Sequence, residues 1–589
     1  MVITLVQAII TASKTSSLSF SDAVEYHRDK QRFISTYPQY PDPSLTRLRK
    51  REFSRLSQNG GSVYLDYTGA SLYPSSLIKS HSKWLKCCVA GNPHSTSPAS
   101  LLSTRATEDA RNAILEFFDA DPADYDVVWT SNATAGFRIV GETYDFRGKR
   151  MLIPRDAHNS LNSLARKAQA GGGSFEFIEF DQTWSCSSGV EKQDTISRQA
   201  YLDALSQPGS SLSSLKNMEQ KQQQQQEQDK GLIFFTGQSN ITGVKLDMSL
   251  LSIAKDLGWN VGLDAAALAP STRISLRCYP SVDYMVVSLY KICGYPTGVG
   301  ALIMKKSMYA NMTRKETFFG GNIIGITMDK MEFSLVEGSE RFEDGTGNFA
   351  SMAAVASGLK FASRWMSRYT QRNKILVKWL VDQLDNIYYP TIGGVVEQEG
   401  MNEKQHRSFS SSTLYKKSSS TSSASSTNSS FKRKRCASQS KGVKLIRIGG
   451  PRDLDIRGAT LPLVFCASDG TSLNYRFVIW AAAQENISLR GGPCMCNPGA
   501  SSSVMQRGLI TDLNASSLLA VADVGIVRVS LGIASSFKDC WRLVKFCKRL
   551  TQKEWTNNMW ITYQTQFPGA NLANDIDELQ ARATRKRDT

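Results

Sequence analysis

Residues 284–298 read Tyr-Met-Val-Val-Ser-Leu-Tyr-Lys-Ile-Cys-Gly-Tyr-Pro-Thr-Gly. Tyr284-Met285-Val286-Val287 is an apolar run of strand length, and it ends at Ser288-Leu289-Tyr290-Lys291. Gly294-Tyr295-Pro296-Thr297-Gly298 then carries turn chemistry. A lysine between a buried strand and a glycine-rich turn is poorly placed to be an ordinary surface lysine. Desolvated, or held near positive charge, its amine loses affinity for a proton and becomes a nucleophile. The alternative is a lysine that snorkels from a strand end.

The same pattern recurs upstream. Asn260-Val261-Gly262-Leu263 ends at Asp264. Leu232-Ile233-Phe234-Phe235 ends at Thr236-Gly237-Gln238-Ser239-Asn240. Val127-Val128-Trp129-Thr130 leads through Ser131-Asn132-Ala133-Thr134-Ala135 into a helical pattern. Strands alternating with helices predict an α/β domain with a mostly parallel sheet. In such sheets ligands sit beyond the carboxyl ends of the strands, where all these polar groups fall. The helix opening at Ser131–Ala135 offers free N–H groups, a positive dipole end and the Thr134 hydroxyl, which together suit a phosphate; a plain N-cap is the alternative. Asp264 suits a buried, protonated ring nitrogen, or again a cap. After about residue 370 strands such as Leu461–Val464 and Val527–Leu531 mix with helices, as in a smaller α+β domain. The expected organisation is an arm over 1–60, a large domain over 61–370, a small domain over 371–560 and a polar tail over 561–589.

Composition bounds the alternatives. The chain has 589 residues, 41% hydrophobic and 21% charged, which supports a large buried core without disulfides or metals. Its net charge of +17 is widely scattered, with the densest run at Lys432-Arg433-Lys434-Arg435; spread in this way it reads as a solvated surface, not a nucleic-acid face. Eleven cysteines show no disulfide framework, which points to a reducing compartment. Cys494 and Cys496 form a C-x-C with no histidine near in sequence, so no metal site is expected. Met1–Ile10 is apolar but has no basic residue before it, which suits neither a secretory signal nor a membrane span, and it reads as an arm packing on the body. Two polar stretches read as disordered inserts: about 206–230, with Gln222–Gln226, and about 398–441, rich in Ser, Thr, Lys and Arg. The tail from Asp575 reads the same way, and the 432–435 run is a candidate nuclear import signal in an otherwise cytoplasmic protein.

Taken together, these segments resemble the class V aminotransferase-fold proteins, which include cysteine desulfurases, and within them the desulfurase-like N-terminal domain of molybdenum cofactor sulfurases. The resemblance rests on Tyr64–Ala70, Gly91-Asn92-Pro93-His94-Ser95, Gln238-Ser239-Asn240, Leu263-Asp264-Ala265-Ala266, Ser288–Lys291 with Gly294–Gly298, Phe319-Gly320-Gly321, Arg341–Thr346 and Cys496-Asn497-Pro498-Gly499, in family order over about residues 60 to 550. It implies fold type I of pyridoxal phosphate (PLP) enzymes: a seven-stranded, mostly parallel sheet with a smaller α+β domain. Ala133, Thr134 and Ser288 would hold the cofactor phosphate. His158 would stack on the pyridine ring, or else be a hydrogen-bonded core histidine. Asn240 would contact the phenolic oxygen side, Asp264 would pair with the ring nitrogen, and Lys291 would carry the cofactor as a Schiff base. Thr346 would reach the phosphate of a neighbouring subunit, which implies a homodimer. Arg528 would bind the substrate carboxylate, with Arg490 as a helper.

The same resemblance implies that L-cysteine is converted to alanine, with sulfur left as a persulfide on Cys496 and Cys494 in reserve. Cys496 lies in a glycine- and proline-rich loop, where a mobile thiolate could swing toward the cofactor, with Arg490 nearby to favour the thiolate form. The chain departs from the family in four ways. It has Arg490-Gly491-Gly492-Pro493 where the family has Arg-Thr-Gly. It has Tyr290 where many desulfurases have histidine. It has Tyr67-Thr68 where the sulfurases have His-Ala. It ends soon after the desulfurase-like part, so the sulfur acceptor stays open. Two other functions are compatible with the residues: a PLP lyase, epimerase or transaminase for another amino acid, and a non-catalytic scaffold.

Overall fold

Seven runs of mostly apolar residues form one sheet: β1 Tyr125–Thr130, β2 Arg150–Pro154, β3 Ser174–Ile178, β4 Gly231–Thr236, β5 Trp259–Asp264, β6 Tyr284–Ser288 and β7 Gly300–Lys305. The computed structural model describes residues 19–58, 60–180, 195–207, 230–312, 320–321, 323–390, 442–508, 525–568 and 573–574. The Met1–Ile10 run, residues 208–229 of the glutamine-rich insert, the 398–441 insert with its 432–435 run, and the tail from Asp575 lie outside the described residues.

The strand order is β1-β7-β6-β5-β4-β2-β3. β7 runs antiparallel to both neighbours, and the other four pairings are parallel. The central strands are buried along their whole length, which explains why they read as continuous apolar runs rather than alternating ones. Successive residues still serve opposite faces. Ile233, Phe235, Val261, Leu263, Met285 and Val287 belong to one core, and Leu232, Phe234, Tyr284 and Val286 to the other. Helices cover both faces. Two of them, α1 Ala133–Thr143 and α2 Asn159–Ala170, pack over the second core. A short helix, α3 Leu289–Cys293, continues directly from β6.

Register decides the site. Thr236 pairs with Asp264, Asp264 pairs with Val286, and Ser288 pairs with Gly300, which also pairs with Thr130. The carboxyl ends of β1, β4, β5 and β6 therefore finish along one edge. Gly136 brings α1 close to that edge: a Cβ there would lie 2.9 Å from Val286 Cγ1.

A 31-residue helix, α4 Val355–Asp385, joins the two cores. Its Val355, Leu359 and Ala362 pack with the large sheet, and its Leu376, Val377, Leu380 and Leu384 pack with a second cluster. That cluster covers a four-stranded antiparallel sheet of β8 Ile446–Ile448, β9 Thr460–Phe465, β10 Arg490–Gly492 and β11 Ile526–Ser530, in the order β8-β9-β11-β10. A helix α5 Pro498–Gly508 lies between β10 and β11 in sequence. The helices Phe20–Thr36 and Pro43–Glu52 occupy the region read as an arm; Phe33 joins the second cluster and Leu45 and Leu48 a smaller one. Among the described residues, no helix is long and apolar enough to cross a membrane.

Candidate active site

At the shared strand edge lies a cavity of about 430 Å³. Its walls include Ala133, Thr134, His158, Asn240, Asp264, Ser288 and Lys291, seven of the residues expected from sequence. They come from the carboxyl ends of β4, β5 and β6 and the starts of α1, α2 and α3.

The phosphate end is built at the α1 N-terminus. Asn132 is the N-cap, its side chain accepting from Ala135 N–H, so Thr134 is not the cap. The Ala133 N–H donates to Ser288 Oγ at 2.9 Å, and Thr134 Oγ1 meets Ser160 Oγ at 2.7 Å. The Thr134 N–H has no acceptor among the described residues. A phosphate here would meet a helix N-terminus, an open N–H and hydroxyls that keep donor capacity.

The ring end is built from Asp264, His158 and Lys291. Asp264 is 8% exposed, and its Oδ1 accepts the Ala266 N–H at 3.0 Å. His158 caps α2: its Nδ1 accepts the Ser160 N–H at 3.2 Å and lies 3.0 Å from Ser160 Oγ. Burial holds the His158 pKa below its ordinary value, against the opposing pull of Asp264. An accepting Nδ1 on a neutral ring leaves the proton on Nε2. Burial also lowers the Lys291 amine, again opposed by Asp264 and assisted by Arg528 and Arg490. Desolvation among positive neighbours is what a nucleophilic or basic lysine needs.

Two wall groups that sequence reading did not single out, Thr236 Oγ1 and Gln238 Oε1, are buried without a partner among the described residues. Unmade hydrogen bonds on buried atoms are costly, so these atoms mark a place for a polar ligand. Both sit at the carboxyl end of β4, in the stretch that the strand-end rule marked without giving either residue a role. The donors, the carboxylate, the lowered amine and these two orphans fit the phosphorylated pyridine aldehyde expected from the resemblance.

Arg528 and Arg490 face each other across β11 and β10 in direct register. Like charges so placed repel. Asp66 offsets this. Its Oδ1 accepts from Arg528 Nη2 at 2.8 Å and its Oδ2 from Arg490 Nε at 2.8 Å. Arg528 is 3% exposed, donates Nη1 to the Asn240 carbonyl, and keeps a buried Nε without a partner among the described residues. The pair carries one net positive charge after Asp66, which suits one carboxylate.

Cys496 is exposed, and it lies close enough that a thiolate there would favour the protonated Lys291 amine. Its loop is docked rather than free. Met495 and Cys496 both adopt left-handed φ angles, +41° and +61°, a strain of roughly 1 kcal/mol or more each. Asn240 lines the cavity, but its amide is engaged by this loop, Nδ2 donating to the Met495 carbonyl and Oδ1 accepting from Asn497. Thr346 lies away from the cavity, where its Oγ1 accepts from Asn92 Nδ2 at 3.4 Å. Tyr67 and Thr68 line a small adjoining space of about 40 Å³ shared with Lys291 and Gln238, and Thr68 Oγ1 meets Thr460 Oγ1 at 2.7 Å.

A buried carboxyl, that of Asp156, sits on the β2–α2 connection against the cysteine loop. Asp156 Oδ1 has no partner among the described residues, and burial pushes the carboxyl's pKa up to about 7. The folded chain keeps this proton while the unfolded chain releases it near pH ~4. Stability from this group is therefore full below that value and is lost as pH rises through 7. Asp156→Asn is expected to raise the thermal midpoint more at pH 8 than at pH 5, with a gain of at most about 4 kcal/mol. Equal shifts at both pH values would exclude burial of this carboxyl as the cause.

The aminotransferase class-V family pattern matches residues 63–212 and 209–411, more than half of the chain. A molybdenum cofactor sulfurase of Solanum lycopersicum is 27% identical over 548 residues, covering 88% of this chain and 59% of the relative. One from Bos taurus is 30% identical over 379 residues, covering 61% and 39%. This chain thus spans about three-fifths of the longer-matching relative. Among solved structures, the apo cysteine desulfurase of Thermococcus onnurineus superposes with a TM-score of 0.61 at 19% identity, covering 86% of this chain and 98% of that one. The Escherichia coli cysteine desulfurase gives 0.59 at 15%, covering 86% and 98%. At such identity these superpositions establish the fold.

Proposed function

Because this chain belongs to the aminotransferase class-V family, we propose that it is a PLP-dependent cysteine desulfurase that converts L-cysteine to L-alanine and keeps the sulfur as a persulfide on Cys496. The observation that carries this reading is the convergence of Lys291, Asp264 and the α1 N-terminus on one cavity, with an arginine pair and a cysteine loop at its side. The cofactor's role is to withdraw electrons from the substrate's Cα once a proton is removed.

The chain's own residues do the rest. Thr134, Ala133 and Ser288 anchor the phosphate, and Asp264 keeps the ring nitrogen protonated. Arg528, with Arg490, orients the substrate carboxylate through a guanidinium fork. Lys291, whose hold on a proton burial weakens, takes the Cα proton at Nζ. Cys496 Sγ then attacks the substrate sulfur. An S–S bond forms, the Cβ–S bond breaks, and the electron pair left at Cβ takes up a proton. L-Cysteine plus the Cys496 thiol thereby become L-alanine plus a persulfide, with every atom accounted for.

Solved relatives named as cysteine desulfurases and curated relatives named as molybdenum cofactor sulfurases support this chemistry. We assign the chain the persulfide-forming part and no particular acceptor. The position of Thr346 outside its own cavity is consistent with a homodimer in which it reaches the partner's phosphate site. A thiol that must stay reduced suits a reducing compartment such as the cytoplasm.

The test is made on purified protein reconstituted with PLP. Visible absorbance of the bound cofactor, then alanine and sulfide released in equal amounts from L-cysteine with a reductant, is the expected result. Bound cofactor without sulfide would move the reading to another amino-acid reaction. Failure to bind PLP would remove it altogether.

A further inference from the structure

The loop carrying Cys496 is held to the cavity wall by one buried amide. Asn497 is fully buried. Its Oδ1 accepts the Ala500 N–H at 3.1 Å, which caps the start of α5. Its Nδ2 donates to the Asp156 carbonyl at 2.6 Å and to Asn240 Oδ1 at 2.9 Å. Asn240 completes the circuit by donating Nδ2 to the Met495 carbonyl at 3.1 Å. From the other side, the Asn159 N–H donates to the Cys496 carbonyl at 2.7 Å. The carbonyls on either side of the Cys496 amide and the side chain that follows are thus all fastened to the segments that build the cavity.

Two independent features fit the same purpose. Gly499 lies against the β2–α2 connection so closely that a Cβ would stand 1.9 Å from the Arg155 carbonyl oxygen. Only glycine allows this approach without backbone movement. The left-handed backbone at Met495 and Cys496 would relax if the loop were released, so the fastenings maintain a shape the chain would not otherwise keep.

We infer that Asn497 is the positioning residue for the Cys496 thiol. It acts with Asn240 as an amide clamp that holds the loop at the mouth of the cavity. The chemistry of the position explains the residue type. One short side chain must accept from a helix N–H and donate twice, to a carbonyl and to an amide oxygen, which aspartate cannot do. The value of the clamp lies in proximity: a thiol held near the reacting sulfur gains effective concentration that a free loop lacks. The role given to Cys496 rests on the proposed desulfurase reaction; the clamp does not.

Asn497→Asp is the selective probe. It keeps the shape and the helix cap, and a carboxylate suits a helix N-terminus. It removes both donations and sets a carboxylate against two oxygens. Gly499→Ala undocks the same loop by contact alone. Hydrogen exchange read by mass spectrometry on the full-length, PLP-loaded chain should show the Asn159 amide and the 494–497 segment exchanging at least about tenfold faster in both variants. That is the factor expected when a hydrogen bond worth about 1.4 kcal/mol is lost. Exchange in β4 and β5 should be unchanged. In steady state, kcat for alanine formation from L-cysteine should fall about tenfold or more, while the Kd for L-alanine, read from the cofactor's absorbance, stays the same. Unchanged exchange in Asn497→Asp overturns the clamp, whether or not the chain makes sulfide. Faster exchange with an undiminished kcat overturns the positioning role. If the wild-type chain makes no sulfide, the desulfurase reading fails, and the clamp still stands or falls on the exchange data.

Discussion

Lys291→Ala is expected to give a folded, cofactor-binding chain whose turnover of L-cysteine is at least about 1000-fold slower, the scale of losing a positioned general base. Among the described residues, Lys291 is the one lysine on the cavity wall. Its backbone is set by the β6–α3 junction, so its amine arrives at the same edge as Asp264 and the phosphate end. Burial weakens its hold on a proton, and Asp264 opposes that only in part. Removing the side chain removes the base and leaves the phosphate contacts and Asp264 in place. Stability should not suffer, because a desolvated amine is a cost to the fold. The measurement is alanine release at saturating PLP, together with a thermal melt. Turnover within about tenfold of wild type, in a variant that melts normally, would place the base elsewhere. Lys291→Arg sharpens the comparison: it keeps the positive charge but stays protonated, so it should be as slow as the alanine variant.

Much of this site could be read before any coordinates, because its parts lie where one-dimensional patterns end. The apolar runs at 232–235, 260–263 and 284–287 are strands that extend only one residue or so beyond those limits. The residues that end them, Asn240, Asp264 and Lys291, do reach one cavity. A different class of information was invisible. Asp66 meets Arg528 across 462 positions of sequence, and Asn497 meets Asn240 across 257. No local periodicity encodes such pairs; they follow from how the segment beside β11 and the loop after β10 pack on the large sheet. The position of Asn240 was legible, but the direction of its amide was not, since that depends on what the cysteine loop offers it. Likewise the resemblance offered the two arginines as candidate carboxylate ligands. Their direct opposition across the strand pair, and hence the need for Asp66, required the register.

Cys496→Ser is expected to abolish persulfide formation, with sulfide release in the presence of reductant at least about 1000-fold lower, because an unactivated hydroxyl is a weak nucleophile at neutral pH. Cofactor binding and amino-acid binding should be retained, since Cys496 lies on the loop and not among the residues lining the cavity. Cys494→Ser is the companion measurement. The two thiols are two residues apart, yet their settings differ. Cys496 is exposed and close enough to act electrostatically on Lys291. Cys494 is half-buried, and its carbonyl is fixed by the Asn497 N–H at 2.7 Å and by Ser501 Oγ at 2.9 Å. Cys494→Ser should therefore keep most of the activity. The reverse pattern would make Cys494 the carrier and Cys496 the bystander. Full activity in both variants would mean that sulfur never passes through this loop; the cavity would then serve a PLP reaction in which no enzyme thiol takes part, and the docking of the loop would be a matter of fold alone. A loss confined to Cys496→Ser, with the amino-acid-induced change in cofactor absorbance intact, assigns the thiol to the step after substrate capture, where the Cβ–S bond is broken.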